Sequence, residues 1–175
     1  MHFLMVVATM VLFLLALGIN ELLFTHAEFS RGISWVYLPA GVRLLCTLLF
    51  GGAGAIGLLL VSWGVSFLYF FPDDPVRAFM GGILASAAPY LVYRLMHYHW
   101  DLQDHLRNLS PTRLLLGSLA FSIASPLLHH LWFAFAGPEQ DLLSGFIAMA
   151  TGDFIGTILV LYTAKLVLAY WAPRR

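Results

Sequence analysis

Apolar residues run through most of this chain in long blocks, and short polar stretches divide them. Blocks of roughly 20 residues are what a helix needs to cross the hydrocarbon core of a bilayer. The first block predicts a helix over 3–24. A polar loop follows at 25–32, with His26, Glu28 and Arg31. The second helix is expected over 33–50, interrupted near Pro39, and the third over 53–71, with Gly51-Gly52 leaving only a tight connection between them. Pro72-Asp73-Asp74-Pro75 is a breaker, because each proline disfavours helix at the residue before it.

The fourth helix is expected over 77–97. In the polar stretch that follows, Leu102, Leu106 and Leu109 have helical spacing, which predicts a short interfacial helix. Ser110-Pro111 fits the start of a fifth helix over 112–136. A loop at 137–141 leads to the sixth, over 142–171, and Pro173-Arg174-Arg175 ends the chain. The fold class is therefore all-α, a polytopic transmembrane bundle of about six helices in a single domain over 1–175.

Composition agrees with that pattern. Of 175 residues, 61 % are hydrophobic and 10 % charged, whereas a soluble domain is about half apolar and a quarter charged. A core of this size cannot hide the excess, so membrane lipid is the expected solvent for most of the surface. The net charge is zero, and no basic patch of the kind that binds nucleic acid is present. Residues 1–24 lack both the basic start and the small-residue cleavage site of a signal peptide, so they are expected to remain as a helix. Cys46 is the only cysteine, which excludes an internal disulfide and predicts a small buried residue.

Six crossings put both termini on one side. Arg94, Arg107, Arg113, Lys165, Arg174 and Arg175 gather on that side, which predicts cytoplasmic termini. Trp35, Trp100, Trp132 and Trp171 fall near predicted helix ends, as an aromatic belt requires. Pro39 and Pro126 each interrupt an apolar run, a pattern that an inverted three-plus-three repeat would leave.

Two charges lie inside apolar blocks, Arg43 and Asp153. A charge at the bilayer centre is costly, so such residues face the bundle interior and find partners. The two fall at comparable positions along their helices. Either they bound a ligand-binding or switching site, or they form a structural pin. Glu21 is a second possible partner for Arg43. Gly41, Gly51, Gly52, Gly54, Gly57, Gly152 and Gly156, with Gly81 and Gly82, give small faces for close helix approach, and Pro39 is expected to kink or turn its segment.

No H-E-x-x-H element, nucleophile elbow or phosphate loop occurs. His97, His99 and His105 lie at a predicted interface, while His97 and His129 are the pair a b-type haem would need at matched depth. Ser125-Pro126 and His129-His130 have serine–histidine helical spacing, which is common by chance. The expectation is no cofactor, no metal and no catalysis.

The second and last segments resemble the MASE1 family of bacterial membrane-embedded sensory domains. There a tryptophan–proline–glycine element precedes an apolar helix ending in glycine. Here the residues are Trp35-Val36-Tyr37-Leu38-Pro39-Ala40-Gly41, then Phe50-Gly51. The family's last helix carries a G-D-x-x-G element, here Gly152-Asp153-Phe154-Ile155-Gly156. Family members are usually longer and fused to a cytoplasmic kinase or cyclic-dinucleotide domain, and Arg43 is unusual in that helix. The resemblance implies a stand-alone sensory module in the bacterial inner membrane that acts through another membrane protein and takes a small-molecule ligand. Two other classes fit the same composition: an accessory subunit of a membrane complex, and the substrate-binding subunit of a small-molecule importer.

Overall fold

The computed structural model describes residues 1–100, 110–136 and 141–171. Six helices carry the fold: α1 His2–Phe24, α2 Leu38–Phe50, α3 Gly52–Val65, α4 Pro75–Trp100, α5 Pro111–Ala136 and α6 Leu142–Trp171. A π turn over Ser66–Phe70 prolongs α3. Five of these helices are long and apolar enough to cross a membrane, and α2 is the short one. The protein is an apolar helical bundle of the multi-pass membrane class. The expected interfacial helix and the loop at 137–140 fall outside the described residues.

The starts of the last three helices follow from local chemistry. The Asp74 carboxylate accepts from the Arg77 amide at 2.9 Å, Ser110 Oγ from the Arg113 amide at 3.3 Å, and Asp141 Oδ1 from the Ser144 amide at 3.2 Å. Each satisfies one of the amides that a helix start leaves without an intrahelical partner. Pro75 and Pro111 follow their caps directly, where the missing N–H costs nothing.

The second segment differs from the expected kinked helix. Residues 28–34 fold back as a hairpin, β1 Glu28–Ser30 against β2 Ile33–Ser34, with Gly32 at φ +84 in the turn. The polar loop after α1 therefore holds this hairpin and a 3-10 turn over Thr25–Ala27. The chain then bends at Trp35–Val36 and turns helical only at Leu38, with Pro39 in the first turn of α2. Pro39 initiates the helix instead of kinking one. It occupies the position where its fixed φ and absent N–H suit a helix start. Pro126, by contrast, sits inside α5, so the two prolines are not equivalent positions of a repeat.

Extended backbone at membrane depth must be covered by protein and have its polar groups satisfied. Here α6 does both. The Tyr37 amide donates to the Gly152 carbonyl at 3.1 Å, and the Trp35 amide to the Ala27 carbonyl at 2.8 Å. A side chain at Gly152 would collide with the Ser34 carbonyl, and one at Gly156 with the Tyr37 carbonyl. Gly152 admits the segment before α2, and Gly156 admits both that segment and the start of α2. Gly41 does serve helix packing, since a Cβ there would meet Val160 of α6 at 2.5 Å. Gly51 provides the α2–α3 turn at φ +55, a conformation that suits glycine. Gly52, expected to be a packing residue, has open space around it, so no close helix approach depends on it.

α2 is the centre of the bundle. α1, α3, α4 and α6 all pack against it. One apolar cluster joins Leu44 and Leu48 of α2 to Val92 and Met96 of α4 and Phe121 of α5. Another joins Val42 and Cys46 to Phe13 and Leu17 of α1 and Leu58 of α3. Cys46 is fully buried, as its isolation in the sequence suggested. The outer faces present Leu4, Leu15 and Leu22 of α1, Leu68 and Leu143 to the surroundings, which suits lipid.

Candidate functional site

Arg43 projects from the middle of α2 and is 7 % exposed; Asp153 projects from α6 and is 1 % exposed. Both line one internal cavity of about 60 Å³, enough for a few non-hydrogen atoms. They do not bond to each other. Both oxygens of Asp153 and the Nε of Arg43 are buried without a hydrogen-bond partner. Ser125 of α5 stands close enough to act on the carboxylate, yet its hydroxyl also completes no hydrogen bond.

Aromatic rings hold the guanidinium instead. Arg43 lies 5.4 Å from the centre of the Phe13 ring and 5.2 Å from that of Tyr37. Its Nη2 donates a long bond of 3.4 Å to the Tyr37 hydroxyl. The sequence explains the cradle: Phe13 faces inward from α1, and the extended run before α2 carries Tyr37 under the same guanidinium. Glu21, the other candidate partner, points elsewhere and accepts from the Tyr69 hydroxyl at 3.0 Å.

A second arginine reaches the same cavity. Arg77, in the first turn of α4, stacks on Phe71 at 4.2 Å and on Phe133 at 5.2 Å. Its Nε too is buried without a partner. Arg31, at the hairpin turn, lines the cavity from the exposed end and donates to the Tyr69 carbonyl at 2.9 Å. The sequence places Arg31 in a polar loop and residue 77 at the start of the fourth helix and singles out neither. Arg77 lies six residues after Phe71; no comparable local signal marks Arg31.

His129 of α5 also lines the cavity. Its Nδ1 lies 2.8 Å from the Ser125 carbonyl. A carbonyl only accepts, so Nδ1 carries the proton in this bond. His97, the suggested haem partner, packs beside Tyr93 near the exposed end of α4 and is not among the residues lining the cavity with His129. Among the described residues, no group of three or more metal-ligating side chains converges.

A wider polar vestibule of about 600 Å³ lies beyond the hairpin, bounded by Glu21, His26, Glu28 and Tyr69. Arg31 and Phe70 line both spaces. Asn20 of α1, missed in the sequence, supports this end. Its side-chain oxygen accepts from the Leu38 amide at 2.8 Å and so caps α2 from outside. The signal for it was one amide in an otherwise apolar stretch.

Comparison with protein-family models, curated proteins and solved structures finds no match. The site therefore stands on its own geometry: two buried opposite charges, a second stacked arginine, and polar atoms without partners around a small space.

Proposed function

We propose that this membrane protein is a non-catalytic ligand-binding module that reports the occupancy of its inner cavity to a partner membrane protein. The observation that supports the reading is the cavity between α2 and α6, where Arg43 and Asp153 keep unpaired polar atoms at their buried ends. A structural pin would join the two charges directly, because a buried ion pair is stable only when its hydrogen bonds are made. These charges stand apart across a space. Unsatisfied buried polar groups are rare and costly, and a bound molecule removes that cost.

The relay half of the proposal rests on the likeness of Trp35–Gly41 and Gly152–Gly156 to MASE1 sensory elements. Both elements border the cavity wall: the extended segment ends at Tyr37, and Gly152 adjoins Asp153. A ligand that pulls on Asp153 therefore acts on the contact between the two elements. The reading places the module in a bacterial inner membrane with both termini in the cytoplasm.

A second reading, the substrate-binding subunit of an importer, is favoured by the vestibule that shares Arg31 and Phe70 with the cavity, since it offers a way in from one side. The deciding experiment is gentle purification of the tagged chain from its native membrane, with mass spectrometry of co-purifying proteins and small molecules. A retained small molecule together with a stoichiometric signalling partner is the expected result. A transport ATPase as the partner would favour the importer. A chain that retains a partner but never a small molecule, and that no small molecule stabilises, would overturn the binding role and leave an accessory subunit.

A further inference from the structure

From the unpaired atoms of the cavity we infer that its ligand is a short organic acid whose carboxylate has a hydrogen-bond donor, hydroxyl or ammonium, on the neighbouring carbon. This rests on the binding role proposed above and specifies its chemistry.

The wall presents two opposite demands. Arg43 and Arg77 each have a guanidinium flanked by two aromatic rings, with Nε buried and unpaired. Nη2 of Arg43 already reaches the Tyr37 hydroxyl at 3.4 Å, and Nε is the edge donor that each guanidinium leaves without a partner. A guanidinium edge is the natural fork for a carboxylate. Asp153 makes the reverse demand. Both of its oxygens are buried and unpaired; the nearby Ser125 hydroxyl can serve one, and the other requires a donor from whatever fills the space. An anion without a donor would satisfy the arginines and set a second negative charge against Asp153. A cation or a simple amine would satisfy Asp153 and repel the arginines.

A molecule with an acceptor end and a donor end, a few atoms long, answers both. The small cavity limits it to a short chain. The Ser62 hydroxyl, 3 % exposed and unpaired, lines the same space and is available to a further polar atom of the ligand. The acidic Glu21 and Glu28 of the vestibule disfavour di- and tricarboxylates on the way in.

Alanine and lactate represent the two forms of this class. Propionate lacks the donor, isopropylamine lacks the carboxylate, and inorganic phosphate is an oxyanion of another shape. Each is titrated into the full chain in nanodiscs, freed of small molecules by exhaustive dialysis, at neutral pH. Binding is read from the thermal unfolding midpoint and from the fluorescence of Trp132, which lines the cavity; the Trp132→Phe protein identifies that signal. Alanine or lactate is expected to bind at least about tenfold more tightly than propionate, because a site that leaves a buried acceptor unpaired rejects the analogue lacking the donor. Whichever of the two wins names the donor. In Asp153→Asn the preference over propionate should fall to about threefold or less, since the amide offers one acceptor and no charge.

The wild-type series is decisive by itself if that variant fails to fold. Equal binding of propionate, or preference for phosphate or isopropylamine, overturns the ligand class while leaving a cavity that binds. Failure of every probe, with no small molecule retained from the native membrane, overturns the binding role as well.

Discussion

Arg43 and Arg77 reach the same cavity from opposite circumstances. Each guanidinium is stacked by two aromatic rings, and each has an unpaired Nε. Arg43 stands in the middle of the central helix, almost wholly buried. Arg77 begins α4, partly open to solvent, with its own amide bonded to Asp74. Sequence position separates them sharply, because one lies inside an apolar run and the other beside a proline–aspartate turn. The fold brings them together, because the cavity extends from mid-bundle to the hairpin end. The lesson is that a residue's depth follows from what covers it. An arginine at a helix end is functional-site material when a hairpin and two phenylalanines shelter it.

The difference between the two is energetic. Replacing Arg43 by Ala removes the charge that faces Asp153 across the cavity and opens a void beside Phe13. The expected loss is about 2–5 kcal/mol of unfolding free energy, the range for truncating a large buried side chain. Reversible unfolding in mixed micelles measures it, and a loss under about 1 kcal/mol would show that Arg43 is better solvated than its burial suggests.

Replacing Gly152 by Val attacks the cradle and not the charge. Its side chain would drive into the Ser34 carbonyl and displace the run that carries Tyr37. About 3 kcal/mol of destabilisation is expected, at the upper end for overpacking. The same change at Gly52, where space is open, should be close to neutral, because valine is no poorer a helix former than glycine. Similar losses at both sites would break the distinction between close packing and open space.

Exchanging the two charges, Arg43→Asp with Asp153→Arg, tests whether they pair. The aromatic cradle of Phe13 and Tyr37 suits a guanidinium at position 43. The double variant should therefore be no more stable than the weaker single variant, with a coupling below about 0.5 kcal/mol. Recovery toward wild type in the same unfolding assay would establish a direct pair and return the site to a structural pin.

Arg77→Ala is expected to cost only about 1 kcal/mol of stability, as the stacking of a partly exposed cation allows. Ligand affinity should nevertheless fall by about tenfold or more, the value of a charge-assisted hydrogen bond. Titration with alanine and lactate reads the second number. Loss of stability without loss of affinity would exclude Arg77 from the site.

Much of this protein is set by its sequence alone. The all-α class, the six helices and most of their bounds follow from the length of the apolar blocks, because hydrocarbon demands about 20 residues per crossing and satisfies no backbone group itself. Arg43 and Asp153 are legible for the same reason: a charge in such a block must have a purpose. Tertiary structure alone decided how residues 33–37 run. Their apolar character suits a strand as well as a helix, and the extended form prevails because Gly152 and Gly156 of α6 leave room for it and the Gly152 carbonyl accepts from Tyr37. It also decided that Arg43 and Asp153 face each other across a space and that Arg77 joins them, since side chains distant in sequence share a cavity only after the helices that carry them have packed.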